Sequence, residues 1–60
     1  MMRTKLDVIK HSNGLIEMRA ANRHVCFFEN LSMREAMAKA RAYASERPYI
    51  GFQLNSVRGD

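Results

Sequence analysis

Cys26 and His24 are the residues whose types and spacing could do covalent chemistry, a thiol nucleophile beside an imidazole base. They lie two positions apart in a predicted strand, so we expect their side chains on the same face of a sheet. Nucleophilic catalysis also needs a group that orients the base and a site for a developing oxyanion, and the sequence indicates neither. The apolar neighbours Val25, Phe27 and Phe28 favour a structural thiol. We therefore predict that the protein is not an enzyme and has no catalytic residues.

The sequence lacks the residues that a metal site or a cofactor site needs. His11 and His24 are the two histidines and Cys26 the one cysteine, which are too few donors for a zinc site. The three glycines are too scattered for a loop that cradles phosphate. An unpaired cysteine fits a reducing compartment, and no apolar segment resembles a signal peptide or a membrane span. We expect no metal, no cofactor, no membrane partner and a cytoplasmic location.

Positive charge is the feature that indicates a partner. Ten Lys and Arg residues against six Asp and Glu give a net charge of +4, which favours a nucleic acid or an acidic protein surface. Alternation along the strands predicts basic side chains on the sheet face without a helix, called here the open face. The candidate nucleic-acid-binding residues are Arg3, Lys5 and Arg19 on that face and Arg23 in the adjoining turn. Asp7 and Glu17 are expected on the same face.

Three short strands, one helix and a last strand must position these residues. We expect strands at 5–10, 15–20, 24–28 and 49–57, and a helix at 33–46. Ser32 and Glu35 have the spacing of a capping box at the start of the helix, and Pro48 ends it. The order is β-β-β-α-β, which predicts one α+β domain over residues 1–60, a small antiparallel sheet packed on one helix.

The first hairpin has two possible registers. A two-residue Asn13-Gly14 loop mixes apolar and charged residues on each face. A three-residue Ser12-Asn13-Gly14 loop pairs Val8 with Met18 and Asp7 with Arg19, which separates them, so we prefer it. A second turn is expected at 21–23, and the last strand can pair with the first strand, the third, or another copy.

The predicted core is apolar at strand and helix spacing. In the third strand, Val25 and Phe27 are expected to face the core, and Cys26 and Phe28 the other side or an edge. The expected core residues are Leu6, Val8, Ile16, Met18, Val25, Phe27, Met33, Met37, Ala40, Tyr43, Ile50, Phe52 and Leu54. A chain of 60 residues buries a modest fraction of its surface, so a homodimer through a sheet edge is a further expectation.

The element order and several residues resemble a known pattern. The matching elements are Asn13-Gly14 before the second strand, Arg19 within it, and Ser32-Met33-Arg34-Glu35-Ala36 opening the helix. Over residues 5–45 the chain resembles the arm-site-binding domains of phage-type integrases and the DNA-binding domains of plant ethylene-response factors. Those families read the major groove of DNA with the open face of the sheet, and the resemblance therefore implicates Lys5, Arg19 and Arg23. A fourth strand follows the helix here, which those domains usually lack.

Two functions follow as hypotheses. The first is a small non-enzymatic protein that binds nucleic acid with the basic sheet face. The second is a small phage-type inhibitor or adaptor that binds a host defence or regulatory complex. Its contact surface would be the last strand or the helix face formed by Arg34, Ala38, Arg41 and Ala42.

Overall fold

Four strands and one helix form the fold, in a computed structural model that describes residues 3–59. The first two residues and the last one of the expected domain lie outside the described part. The elements are β1 (Thr4–Lys10), β2 (Ile16–Ala20), β3 (Arg23–Phe28), α1 (Met33–Ser45) and β4 (Phe52–Arg58). The predicted α+β class and the order β-β-β-α-β are confirmed.

The β1–β2 hairpin has the predicted register. Val8 pairs with Met18 and Asp7 with Arg19. Gly14 has a φ of +92°, which the three-residue loop requires and which a residue with a Cβ adopts only at a cost. The preferred loop therefore puts the apolar residues of both strands on one face.

The sheet is mixed, because β4 joins it in parallel with β1. The strand order is β3-β2-β1-β4, and β1 pairs antiparallel with β2. Two hairpins make β3 run in the direction of β1, and α1 then carries the chain back across the sheet, so β4 runs in that direction too. The expectation of a wholly antiparallel sheet is corrected at this one strand, and the partner of β4 is the first strand.

A β-bulge in β3 reverses the expected faces of this strand. Arg19 pairs with His24, but its neighbour Met18 pairs with Cys26, so Val25 is an extra residue. Before the bulge, the turn consists of two residues with positive φ, Ala21 and Asn22, as a type I′ hairpin requires.

The prediction that Val25 and Phe27 face the core is wrong, because the bulge shifts the residues that follow it. Cys26 and Phe28 pack against the core instead. Val25 is 37% exposed, and Phe27, which pairs with Glu17 on the open face, is 52% exposed. One inserted residue therefore exchanges the two sets of side chains.

The helix begins as predicted. Ser32 Oγ accepts a hydrogen bond from the Glu35 N–H (3.2 Å), and the Glu35 carboxylate accepts one from the Ser32 N–H (3.0 Å). After the C-cap Glu46, the Ile50 N–H bonds the Arg47 carbonyl (3.1 Å), so 48–50 form a turn. The last strand consequently starts at Phe52, not at 49 as predicted, and Ile50 lies half-buried in that turn.

The core lies between α1 and the sheet. Its fully buried side chains come from β1, β2 and α1, and they are Leu6, Val8, Ile16, Met18, Ala36 and Ala40. Half-buried side chains that pack on it include five predicted core residues, Met33, Met37, Tyr43, Phe52 and Leu54. The small side chains of Ala36 and Ala40 let the helix approach the sheet closely. Among residues 3–59, no helix lies over the opposite face of the sheet.

Candidate nucleic-acid interface on the open sheet face

The open face presents one row of side chains from each strand. Paired residues of neighbouring strands share a face, which defines this surface from the observed registers. Its residues are Lys5, Asp7 and Ile9 on β1, Glu17 and Arg19 on β2, His24 and Phe27 on β3, and Gln53, Asn55 and Val57 on β4.

Glu17 is the centre of a hydrogen-bond cluster on this face. Its Oε2 accepts from Arg19 Nε at 3.0 Å and lies 2.7 Å from His24 Nδ1, while Oε1 lies 2.8 Å from His11 Nε2. An ionised carboxylate can only accept, so each of these imidazole nitrogens carries a hydrogen. Three side chains from two strands and a loop therefore converge on one carboxylate, and we call these four residues the Glu17 cluster.

The cluster keeps the Glu17 carboxylate ionised. The side chain is buried, with 4% of the residue exposed, although it lies on the face without the helix. Hydrogen bonding from Arg19, followed by that from His24 and His11, lowers the pKa of Glu17 to about 2 against the opposing effect of burial. Glu17 therefore compensates the charge of Arg19 over the whole physiological pH range.

The second acid of the open face also has a partner. Asp7 Oδ1 accepts a hydrogen bond from Asn55 Nδ2 at 3.1 Å. Asp7 and Arg19 are opposite each other in the register, but Arg19 Nε turns to Glu17 instead.

The four predicted nucleic-acid-binding residues do not all share one face. Lys5 is exposed on the open face, and Arg3 is exposed just before β1. Arg19 is on the open face with 44% of its side chain exposed, but it is bonded to Glu17. Arg23 pairs with Ala20, whose side chain packs on the core, so Arg23 projects from the helix side of the sheet. The structure therefore groups Lys5 with Arg19 and separates Arg23 from them.

An aromatic ring that the sequence analysis missed stands beside the Glu17 cluster. The Phe27 and His24 ring centroids are 4.6 Å apart, with a tilt of 46° between the planes. Both rings border an open basin of about 370 Å³, the Phe27 basin, lined by His11, Asn13, Leu15, Glu17, Arg19, His24 and Phe27. Alternation along β3 predicts Phe27 in the core, so the bulge had to be known before the sequence could indicate this basin.

Cys26 and His24 lie on opposite faces of the sheet. The bulge puts His24 on the open face and Cys26 on the helix side, so the expectation that they share a face is wrong. Partial burial raises the pKa of the Cys26 thiol, which disfavours the reactive thiolate. Within residues 3–59, no group of three or more His, Cys, Asp or Glu side chains could hold a metal ion. No helix in this part of the chain is long and apolar enough to cross a membrane.

The surfaces of the alternative hypothesis are accessible. Arg34, Ala38, Arg41 and Ala42 are all exposed on α1. β3 and β4 are the two edges of the sheet, so each has one side that no other strand of the sheet covers.

Comparisons with protein-family models, with curated proteins and with solved structures find no significant match to this chain. The resemblance to integrase arm-binding and ethylene-response-factor domains accordingly stays a prediction.

Proposed function

We propose that this protein is a small non-enzymatic nucleic-acid-binding protein that uses the open face of its sheet. The observation that carries the proposal is the exposed Phe27 ring, which lines one basin with His24 and Arg19 on the face of the sheet that α1 does not cover. Aromatic rings and guanidinium groups stack on nucleobases, and cations at the same surface contact phosphates. We further propose that the protein works in the cytoplasm, where an unpaired Cys26 stays reduced.

On the open face, Lys5 and Arg19 carry positive charge and Asp7 and Glu17 negative charge, and both acids are held by hydrogen bonds. The Glu17 carboxylate accepts from Arg19 and two imidazoles, so it presents little bare negative charge to a ligand. Asp7 is hydrogen-bonded to Asn55. Lys5 is exposed on this face, and with the remaining exposed part of Arg19 it supplies phosphate contacts. Arg3 extends the same surface, whereas Arg23 would contact a ligand that reaches around the β2–β3 turn.

A fluorescence-anisotropy titration tests the proposal. Labelled DNA and RNA, single-stranded and duplex, are titrated with the protein at about 50 mM and about 200 mM salt. We expect binding of roughly micromolar strength at the lower salt and a steep loss at the higher salt, because phosphate contacts release counterions. Absence of binding to every probe at the lower salt would refute the proposal.

A matched pair of variants locates the surface. Lys5→Gln removes an exposed cation from the open face, and Arg41→Gln removes one from the far side of α1. We expect the first variant to weaken binding and flatten its salt dependence, and the second to bind like the wild type. The reverse result would contradict use of the sheet face.

A protein partner is the second candidate function. The exposed helix face and the two sheet edges favour it, because the small side chains of Ala38 and Ala42 permit close approach and an edge can accept a further strand. In that case the protein is an inhibitor or adaptor of the phage type, and Arg41→Gln or a change in β4 would weaken capture of one defined complex. The mass of the free protein, measured by sedimentation, shows whether it instead forms a homodimer through a sheet edge.

A further inference from the structure

A second concavity adjoins the Phe27 basin at the end of the sheet. It has a volume of about 400 Å³ and is lined by Lys10, His11, Ser12, Arg58 and Gly59, and we call it the cationic cleft. Lys10 and Arg58 pair in register across β1 and β4, and both are exposed. Lys10 also pairs with the buried Ile16, so both side chains leave the strands on the helix side and line the cleft at the end of the sheet. Among the described residues that line the cleft, none is acidic.

His11 is the residue that the two concavities share. Its ring lines the Phe27 basin, where Nε2 bonds Glu17, and it also lines the cationic cleft. The Gly59 N–H donates to the Lys10 carbonyl at 2.7 Å, so the backbone after β4 is fixed beside this ring. A depression bordered by the Phe27 and His24 rings therefore adjoins one lined by Lys10 and Arg58, and the His11 side chain lies between them.

These two depressions match the two chemical parts of a nucleotide. Resting on the function proposed above, we propose that the ligand is a single-stranded nucleic acid with one unstacked base in the Phe27 basin and an adjacent phosphate in the cationic cleft. The base stacks on Phe27 and on the exposed part of the Arg19 guanidinium. The Lys10 ammonium group attracts the phosphate as a compact charge, and the Arg58 guanidinium group donates two parallel hydrogen bonds to it.

The Phe27 basin fits the face of an unpaired base and not a base inside a duplex. In a duplex the faces of the bases are stacked on their neighbours, and only their edges are presented in the grooves. Stacking on the exposed Phe27 ring requires the face of a base, and a single strand presents that face without any cost of unpairing. Single-stranded DNA and RNA both offer base faces and phosphates, so either can occupy both depressions.

The affinity of the protein for unstructured single strands tests the proposal. The probes are oligo(dT) and oligo(rU) of about 12 nucleotides and a DNA duplex of the same length, a size within the range that single-strand sites cover. Phe27→Leu keeps an apolar side chain but removes the ring, and Phe27→Tyr restores the ring. We expect Phe27→Leu to weaken single-strand binding by about fivefold to about 100-fold and Phe27→Tyr to bind like the wild type.

The phosphate site has its own variant. Lys10→Gln combined with Arg58→Gln should weaken binding and make the plot of log affinity against log salt less steep by roughly 0.7 for each cation that contacts phosphate. Arg34→Gln combined with Arg41→Gln removes the same charge from the helix face and should leave both quantities unchanged. Chemical-shift changes at His24, Phe27 and Leu15 on addition of thymidine monophosphate should report the base in the basin.

The outcomes separate this inference from the proposed function. If Phe27→Leu binds single strands like the wild type while Lys5→Gln binds weakly, the open face binds nucleic acid without the base site, and the inference is overturned. Equal affinity for duplex and single strands overturns it as well. If no probe binds at low salt, both proposals fall. Preference between oligo(dT) and oligo(rU), which differ in the 2′-hydroxyl and in the thymine methyl group, identifies DNA or RNA as the source.

Discussion

Protonation of Glu17 should destabilise the fold in acid. The hydrogen bonds from Arg19, His24 and His11 hold the pKa of Glu17 at about 2 in the folded chain, against 4.5 for a free glutamate. The folded state therefore binds this proton less readily than the unfolded state does. The stabilisation is complete above pH 4.5 and is lost as the pH falls from there to about 2.

The size of the effect is large for so small a domain. Each unit of pKa is worth about 1.4 kcal/mol, so a pKa of about 2 in place of 4.5 corresponds to about 3 kcal/mol. Solvent screening takes little from this figure, because the Glu17 side chain is 5% exposed. At roughly 0.05–0.15 kcal/mol per residue, a chain of this length has a free energy of unfolding of about 3–9 kcal/mol. Loss of the Glu17 contribution should therefore remove a third or more of the total.

Urea denaturation followed by circular dichroism, on the wild type and on Glu17→Gln, measures this contribution. With a slope of about 1 kcal/mol per molar urea, the two midpoints should lie about 3 M apart at pH 7 and approach each other as the pH falls to 2. The capping carboxylate of Glu35, whose pKa the Ser32 N–H and hydroxyl lower, is present in both proteins and cancels in the difference. A separation that stays constant between pH 7 and pH 2 would refute the reasoning, since a pH-independent loss cannot come from the carboxylate's ionisation.

Three further substitutions test the helix cap and the β2–β3 turn. Ser32→Ala removes the side chain that accepts the Glu35 N–H, and it should cost about 1 kcal/mol and lower the melting temperature by roughly 4–8 °C; an unchanged melting temperature would show that the cap contributes nothing. Ala21→Gly relieves a φ of +52° that alanine adopts at a cost, and it should raise the free energy of unfolding by roughly 0.5–1 kcal/mol. Asn22→Gly is its matched control, with a smaller gain expected because asparagine tolerates positive φ; equal or opposite effects would contradict the strain argument.

The parts of the fold that depend on neighbouring residues could be predicted from the sequence. Gly14 provides the positive φ that the first loop needs, and the separation of apolar from charged residues then selects the register of β1 and β2. Ser32 and Glu35 form the predicted capping box with one another over three residues. In both cases the interacting groups are close in sequence, so their types and spacing determine the geometry.

The parts that depend on distant pairing could not be predicted. A bulge leaves little trace in composition, and a regular ladder from the turn at Ala21 would have paired Met18 with Val25, as the predicted core assumes. The extra residue pairs Met18 with Cys26 instead. The sequence leaves the partner of β4 open, because the choice depends on how α1 crosses the sheet. Lys10 and Arg58 are 48 positions apart, so only the parallel β1–β4 pairing brings them into one cleft.

The bulge and the Glu17 cluster together account for the shape of the open face. In a regular ladder Cys26 would lie opposite Glu17, and Phe27 would be directed at the core; the bulge puts the Phe27 ring opposite Glu17 instead. A buried carboxylate is costly unless its oxygens are hydrogen-bonded, and here three donors satisfy them. Those same bonds hold Arg19 and His24 in fixed orientations beside the ring. A ligand that stacks on this surface then loses less side-chain entropy than it would on freely rotating residues, which favours binding. Stability and recognition therefore depend on the same carboxylate, which stabilises the fold and holds the Arg19 and His24 side chains beside the Phe27 ring.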